Sequence, residues 1–456
     1  MNVFDALQGL ADAALGWDVQ CVAVAPPAWW QQRQELRLRR LLSVARERAP
    51  RYAGLPAPGE QALQSLAHWP VTHKQALMDR FESGLTDRSL RRSAVQAFVR
   101  DPRRIGQCLP GGIAAWESSG SSGVPGLFVH DAQALRVYDA LEALRRPQRW
   151  LGNGRLAFVG ATQGHYASVC TIERQRWQYP WLAAQLRVFS FLQPMPALVA
   201  ELQRFDPRVL AAYPSTALVL AEEAAAGRLA LELDSIWTGG ETLTPAVRAA
   251  VEQAFAAPVV NSYGASECLT IAGACDAGAL HLNADWVIVE PVDERHRPVP
   301  AGTFGATALI TNLANHLQPL IRYDIGDRVR LLPQRCSCGS PLPAIEVEGR
   351  TDDSLLLRGA GGRAVRLPPL AMVSVLEEAG VFDFQLAQRS DHALCLTLAH
   401  GGADGARELR RARQALQCYL RTQGVGDTRL ECHCGRPCRH GASGKTQRVI
   451  AAAVAA

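Results

Sequence analysis

Lysine is almost missing from this chain. Of 48 lysines and arginines, only Lys74 and Lys445 are lysine. Lysine is a compact charge on a flexible stem, while arginine is a planar fork, so a role that needs a mobile ammonium has two candidates. Long apolar runs are also missing. None approaches the roughly 20 residues a membrane-spanning helix needs, so no membrane contact is expected. The net charge of +5 has no Lys/Arg block behind it, which excludes nucleic acid as an expected partner. Met1-Asn2-Val3-Phe4-Asp5 has no basic n-region and does not read as a secretory signal, so a cytoplasmic protein is expected. In that compartment the 12 cysteines suit metal ligation or burial better than disulfides.

What is present is ordinary for a globular protein. The chain has 456 residues, 48% apolar and 20% charged, and more than one domain is expected. Residues 32–49 place Leu36, Leu38, Leu41, Leu42 and Ala45 near helical spacing, which predicts an Arg-faced amphipathic helix ending before Pro50. Strand-like runs at 156–159 and 209–212 alternate with helical stretches at 216–229 and 245–256, which predicts α/β layers. After Gly349-Arg350 the pattern changes to a strand at 393–398 and an Arg-rich helix near 404–422. The expected division is a large multi-sheet α/β domain over residues 1–349 and a small α+β domain over 350–456.

Four short motifs carry candidate chemistry. Ser118-Ser119-Gly120-Ser121-Ser122-Gly123-Val124-Pro125 has small residues and hydroxyls that let backbone N–H groups approach phosphate oxygens. A plain flexible turn is the alternative. In Asn261-Ser262-Tyr263-Gly264-Ala265-Ser266-Glu267, after Val259-Val260, Tyr263 can stack on a base and Glu267 can ligate Mg²⁺. The alternative is a post-strand turn with a core tyrosine. Arg322-Tyr323-Asp324-Ile325-Gly326-Asp327 offers Asp327 to ribose hydroxyls, or is a Gly-Asp turn. Gly349-Arg350-Thr351-Asp352-Asp353 lies at the expected boundary, where a charged linker would also fit.

In this order, and ending at Ser443-Gly444-Lys445-Thr446-Gln447-Arg448, the motifs resemble the acyl-adenylate-forming superfamily. The chain is most similar to its phenylacetate-CoA ligase branch, including the early Leu38–Leu42 helix and Pro70-Val71-Thr72-His73-Lys74. The resemblance implies a mobile C-terminal domain and a role for each motif residue. Ser118, Ser119, Gly120, Ser121, Ser122 and Gly123 would cover the ATP phosphates. Gly240 and Glu241, in Gly239-Gly240-Glu241, would border the adenine, and Tyr263-Gly264 would flank it. Ser266 would touch the α-phosphate, Glu267 would hold Mg²⁺, and Asp327 would bind ribose with Arg350 nearby. Asp352 would be the hinge. Lys445 would contact the substrate carboxylate and the α-phosphate. The implied reaction joins a small, aromatic or related carboxylic acid to coenzyme A through acyl-AMP. A carrier-protein phosphopantetheine is the alternative acceptor, and a non-catalytic nucleotide- or zinc-binding protein is the alternative from another class. A homodimer is compatible with the sequence. Two motifs depart from the family: Val124 and Gly126 flank Pro125 where a lysine is often found, and Asn261 stands where an acidic residue is frequent.

Cys275, His281, Cys336 and Cys338 supply three thiols and one imidazole, enough for a tetrahedral structural zinc site. Sequence spacing alone does not join the two pairs; the phenylacetate-ligase-like branch implies the site. Cys432-His433-Cys434 with Cys438 and His440 is more cramped, and reads as a strand end with incidental thiols. His165 near Tyr213 is a candidate lining residue for the acyl pocket.

Overall fold

In the computed structural model, the described residues are 3–59, 61–118, 126–145, 154–348, 354–359, 362–435 and 448–451. They fall into two compact units, one drawn from 1–118, 127–153 and 260–348, the other from 154–259 and 349–456.

The first unit is built on an antiparallel sheet. Its strands run in the order Arg328–Leu331, Ala344–Glu348, Leu280–Leu282, Cys268–Ala274, Val259–Ala265. A three-stranded sheet of Val287–Val292, Thr307–Asn312 and Tyr323–Asp324 belongs to the same unit. A hairpin pairs Ala114–Glu117 with Leu127–His130. The predicted N-terminal helix spans Pro27–Arg48, with Pro27 at its first turn and the chain leaving the helix at Ala49. Leu38, Leu41, Leu42 and Ala45 are fully buried and share a core with Tyr52, Trp69, Ile288 and Ile321. Leu36 is the exception at 64% exposed, because it points away from the stripe that its neighbours form. Asp285, fully buried, is held by Arg145 at 2.7 Å and Arg37 at 2.9 Å, so its charge is paired rather than isolated.

The second unit holds a parallel sheet in the order Ser235–Thr238, Val209–Ala212, Leu156–Gly160, Leu186–Ser190. Helices Met195–Phe205, Pro214–Ala225 and Pro245–Phe255 alternate with these strands. That is the layering expected from continuous apolar strand runs, since both faces of a parallel sheet are covered. The α+β elements after residue 353 are in the same unit. A four-stranded sheet runs in the order Arg429–Cys434, Ala393–Leu398, Phe384–Ser390, Val449–Ile450, with helices Pro369–Glu378 and Gly402–Thr422. Leu394, Leu396 and Leu398 lie in one core cluster with residues such as Leu210 and Leu220. Arg363 pairs with Glu223 and Arg366 with Glu222, each at 2.8 Å.

Candidate functional site

The Tyr263–Glu267 motif is a β-hairpin rather than a turn after a strand. The strand continues from Val259 to Ala265, and Ala265 pairs with Cys268. Ser266 and Glu267 are therefore the two residues of the hairpin loop, which projects them from the sheet end. The register shifts between Tyr263 and Ala265. There a β-carbon on Gly264 would sit 1.8 Å from the Leu269 carbonyl oxygen, so the close approach admits only glycine.

The loop is fixed by neutral donors. Trp116 Nε1 donates to the Ser266 carbonyl at 2.8 Å. Asn312 Nδ2 donates to the Glu267 carbonyl at 3.1 Å and to the Tyr138 hydroxyl at 2.8 Å. The Tyr323 hydroxyl donates to Glu267 Oε1 at 2.9 Å. Glu267 itself is buried. The Tyr323 contact, with the two backbone contacts, sets the direction of the Glu267 side chain. Beneath them His130 stacks on Trp116 with ring centroids 4.2 Å apart. Burial pushes the His130 imidazole down to about 3, so it stays neutral.

Tyr263 and Asp327 meet directly. The Tyr263 hydroxyl donates to Asp327 Oδ2 at 3.0 Å. Burial, reinforced by the Asp327 charge, pushes this phenol well above its usual range, so it remains a donor. Asp327 lies between strands Tyr323–Asp324 and Arg328–Leu331, after Gly326 in the left-handed region. Arg322 is also left-handed, with φ of 45°. Its guanidinium donates to the Ala67 and Trp69 carbonyls, and Thr72 bonds the backbone of Arg322 and Asp324 at 3.0 and 2.9 Å. The Pro70–Lys74 segment thus braces the Tyr323 strand.

The structure brings Tyr263, Gly264, Ser266, Glu267 and Asp327 together in the first unit. Ser118 follows the last residue of strand Ala114–Glu117, at the start of the segment joining the two strands of that hairpin. Ser119, Gly120, Ser121, Ser122, Gly123, Arg350, Asp352 and Lys445 lie outside the described residues. In the second unit Gly240 is left-handed (φ 80°), and a β-carbon there would meet the Tyr213 ring at 3.0 Å. Glu241 accepts from the Ser215 N–H and hydroxyl, both at 2.9 Å, at the start of helix Pro214–Ala225. His165 is buried.

The cysteines predicted as ligands also converge. The ligand atoms of Cys275, His281, Cys336 and Cys338 all lie within 4.8 Å of one another. Cys338 Sγ is 3.3 Å from His281 Nε2, and Cys275 Sγ is 3.7 Å from Cys336 Sγ. His281 Nδ1 lies 2.8 Å from the Leu342 carbonyl, a contact that fixes the proton on Nδ1 and turns the Nε2 lone pair to the thiols. Two tight turns present the sulfurs: the Gly278 N–H donates to the Cys275 carbonyl, and the Gly339 N–H to the Cys336 carbonyl. The Cys338 N–H, with His281, pulls the Cys336 thiol down to about 6. Three sulfurs and one imidazole nitrogen at this separation fit tetrahedral zinc.

Residues 118–329 match the AMP-binding enzyme family. The chain is 27% identical over 350 residues to a phenylacetate-coenzyme A ligase of Thermus thermophilus, covering 72% of this chain and 71% of that protein. The chain is thus similar, through its central region and over most of its length, to AMP-binding enzymes and to an acyl-CoA ligase. Its fold is that of 2-hydroxyisobutyryl-CoA ligase. In the thioesterification state with 2-HIB-AMP and CoA that protein gives a TM-score of 0.60 at 22% identity, covering 94% of this chain and 91% of that one. In the postadenylation state the TM-score is 0.55 at 20% identity, covering 95% and 91%.

Sequence reasoning passed over Trp116, His130, Tyr138, Asn312 and the role of Tyr323. The one available signal was Asn312, in the polar pair Thr311-Asn312 that closes the apolar run Ala308-Leu309-Ile310. The Leu342 carbonyl that orients His281 has no side-chain signature.

Proposed function

We propose that this enzyme activates a small carboxylic acid, aromatic or related, as acyl-AMP and transfers the acyl group to coenzyme A. The observation that carries the reading is the Tyr263–Asp327 hydrogen bond beside the projecting Ser266-Glu267 loop, inside the region that matches the AMP-binding enzymes. With its hydroxyl tied to Asp327, the Tyr263 ring is held as a wall for the adenine. Asp327 offers its carboxylate to the ribose hydroxyls, and Arg350 assists. Gly240 and Glu241 border the base, Ser118–Gly123 cover the β- and γ-phosphates, and Ser266 contacts the α-phosphate.

Glu267 is the carboxylate that would hold Mg²⁺, and the bound ion would supply positive charge against the phosphates. Lys445 adds an ammonium between the acid and the α-phosphate and stabilises charge passing to pyrophosphate. No protein base is required, because the substrate carboxylate is already ionised near neutral pH. Residues 350–456 act as the small mobile domain, turning about Asp352 to withdraw Lys445 before thiol transfer. Cys275, His281, Cys336 and Cys338 hold a structural zinc. Among the described residues no cysteine is joined to another in a disulfide, and the protein is placed in the cytoplasm. Among the described residues, no helix is long and apolar enough to cross a membrane.

The acceptor and the Lys445 role are tested together. Acyl-CoA formation is measured across an acid panel, with CoA and with a phosphopantetheine carrier protein. Thioester formed on CoA alone is expected; thioester on the carrier alone would overturn the acceptor assignment. Lys445→Ala is expected to cripple adenylation while sparing transfer from preformed acyl-AMP. Equal loss in both half-reactions would remove Lys445 from the first step.

A further inference from the structure

The strand Arg429–Cys434 lies parallel to Ala393–Leu398, with Cys395 opposite Glu431 and Thr397 opposite His433. Strand alternation sorts the side chains onto two faces. Leu430, Cys432 and Cys434 pack on the apolar core that contains Leu394 and Leu396. Cys395, Glu431 and His433 are on the opposite face. The Cys432-His433-Cys434 run is thereby divided, and its two thiols do not share a site with the histidine.

The opposite face has its own donor set. A Cys395 sulfur, a Glu431 carboxylate oxygen and a His433 ring nitrogen lie within 4.8 Å of one another. Among the described residues, His433 has no hydrogen-bond or ion-pair partner to occupy its ring nitrogens. We propose that Cys395, Glu431 and His433 form a second metal site, selective for a borderline divalent cation of the zinc type.

Three arguments support this. Sulfur, imidazole nitrogen and carboxylate oxygen together match zinc, and hard magnesium or calcium would reject the thiol. A thiolate and a carboxylate carry two negative charges, which a divalent cation balances. Two of the donors stand opposite each other on paired strands, so the backbone is already ordered before the metal arrives. Three protein donors leave a fourth position open. Arg429 is the competitor, because it pairs with Glu431 at 3.0 Å. Both partners are largely solvated, at 77% and 40% exposed, and such pairs are weak. The site ties the strand that leads toward Lys445 to its neighbour in the sheet.

The test is zinc stoichiometry on the full-length protein, stripped with chelator and reloaded with Zn²⁺ alone. The deciding quantity is the difference between wild type and His433→Ala. A loss of one zinc per chain is expected, whether or not the Cys275–Cys338 cluster also binds. Equal zinc content in the two proteins would overturn the site. His433→Asn gives a second variant that keeps the side chain polar, and the same loss is expected. Arg429→Ala should tighten the affected zinc several-fold; unchanged affinity would contradict the assignment of Glu431 as ligand. With Co²⁺ as probe, the equivalent lost in His433→Ala should show a charge-transfer band from one thiolate. A three-thiolate spectrum for that equivalent would place it elsewhere.

Discussion

The strand Cys268–Ala274 connects two sites that are built on opposite principles. At its start the Ser266-Glu267 loop holds a buried carboxylate with neutral donors: Tyr323 directly, Trp116 and Asn312 through the backbone. At its end Cys275 joins Cys336, Cys338 and His281, whose donor atoms crowd together. Seven residues of strand separate these ends by about 20 Å. Among the described residues, the first end aims its carboxylate with neutral donors, which would suit a cation that arrives with a substrate. The second gathers soft donors and fixes the histidine tautomer, which suits a cation that stays. On the proposed reading, one strand would carry a transient site at one end and a permanent one at the other.

Each end of the strand can be disturbed separately. Glu267→Gln should lower adenylation about 10²–10³-fold, the scale of losing one charge-stabilising group, with the thermal midpoint nearly unchanged; a rate near wild type would remove Glu267 from the site. Cys336→Ser, or prolonged chelation, should do the reverse. The midpoint should fall by about 5 °C or more, while activity per folded molecule is kept at low temperature. If both changes affected the same readout, the two ends would not be distinct.

Smaller effects are expected at the first end. Tyr323→Phe removes the donor to Glu267 and should raise the Mg²⁺ requirement about tenfold, equivalent to about 1.4 kcal/mol, measured as the Mg²⁺ dependence of exchange. His130 supplies a pH signature. Its folded value of about 3 lies below the ordinary 6.5, so the unfolded chain binds the extra proton between those limits. Stability is therefore unaffected above pH 6.5 and should fall on acidification by about 1.4 kcal/mol per pH unit down to pH 3. His130→Asn should remove that slope in acid denaturation; an unchanged slope would assign it to other groups. The smallest effect belongs to Leu36→Ala, which should shift stability by no more than about 0.5 kcal/mol, whereas Leu38→Ala should cost about 2–5 kcal/mol.

Leu36 also shows where the sequence was readable and where it was not. The helical stripe was legible because Leu38, Leu41, Leu42 and Ala45 repeat at the period of the buried face. Leu36 matched the composition and not the phase. The parallel strands at Leu156–Gly160 and Val209–Ala212 were legible because continuous apolar runs are the mark of two-sided burial. The Tyr263–Glu267 motif was legible as chemistry, but its hairpin was hidden: Asn261, Ser262 and Gly264 are poor strand formers, and tertiary pairing overrides them. Tyr323, Asn312 and Trp116 approach the loop from 56, 45 and 150 residues away, and no local pattern encodes such contacts. The cysteine pairs were legible as donors, while their meeting depends on strand Ala344–Glu348 pairing with Leu280–Leu282.

The Tyr263–Asp327 pair and the Glu267 loop are proposed to cradle an adenylate formed from a carboxylic acid. Carboxylate-dependent ATP–pyrophosphate exchange tests it most directly, with wild type and Glu267→Gln assayed side by side over a panel of aromatic and small aliphatic acids. Exchange that requires both an acid and Mg²⁺, and that collapses in Glu267→Gln, is the expected result. No exchange with any acid would contradict the account.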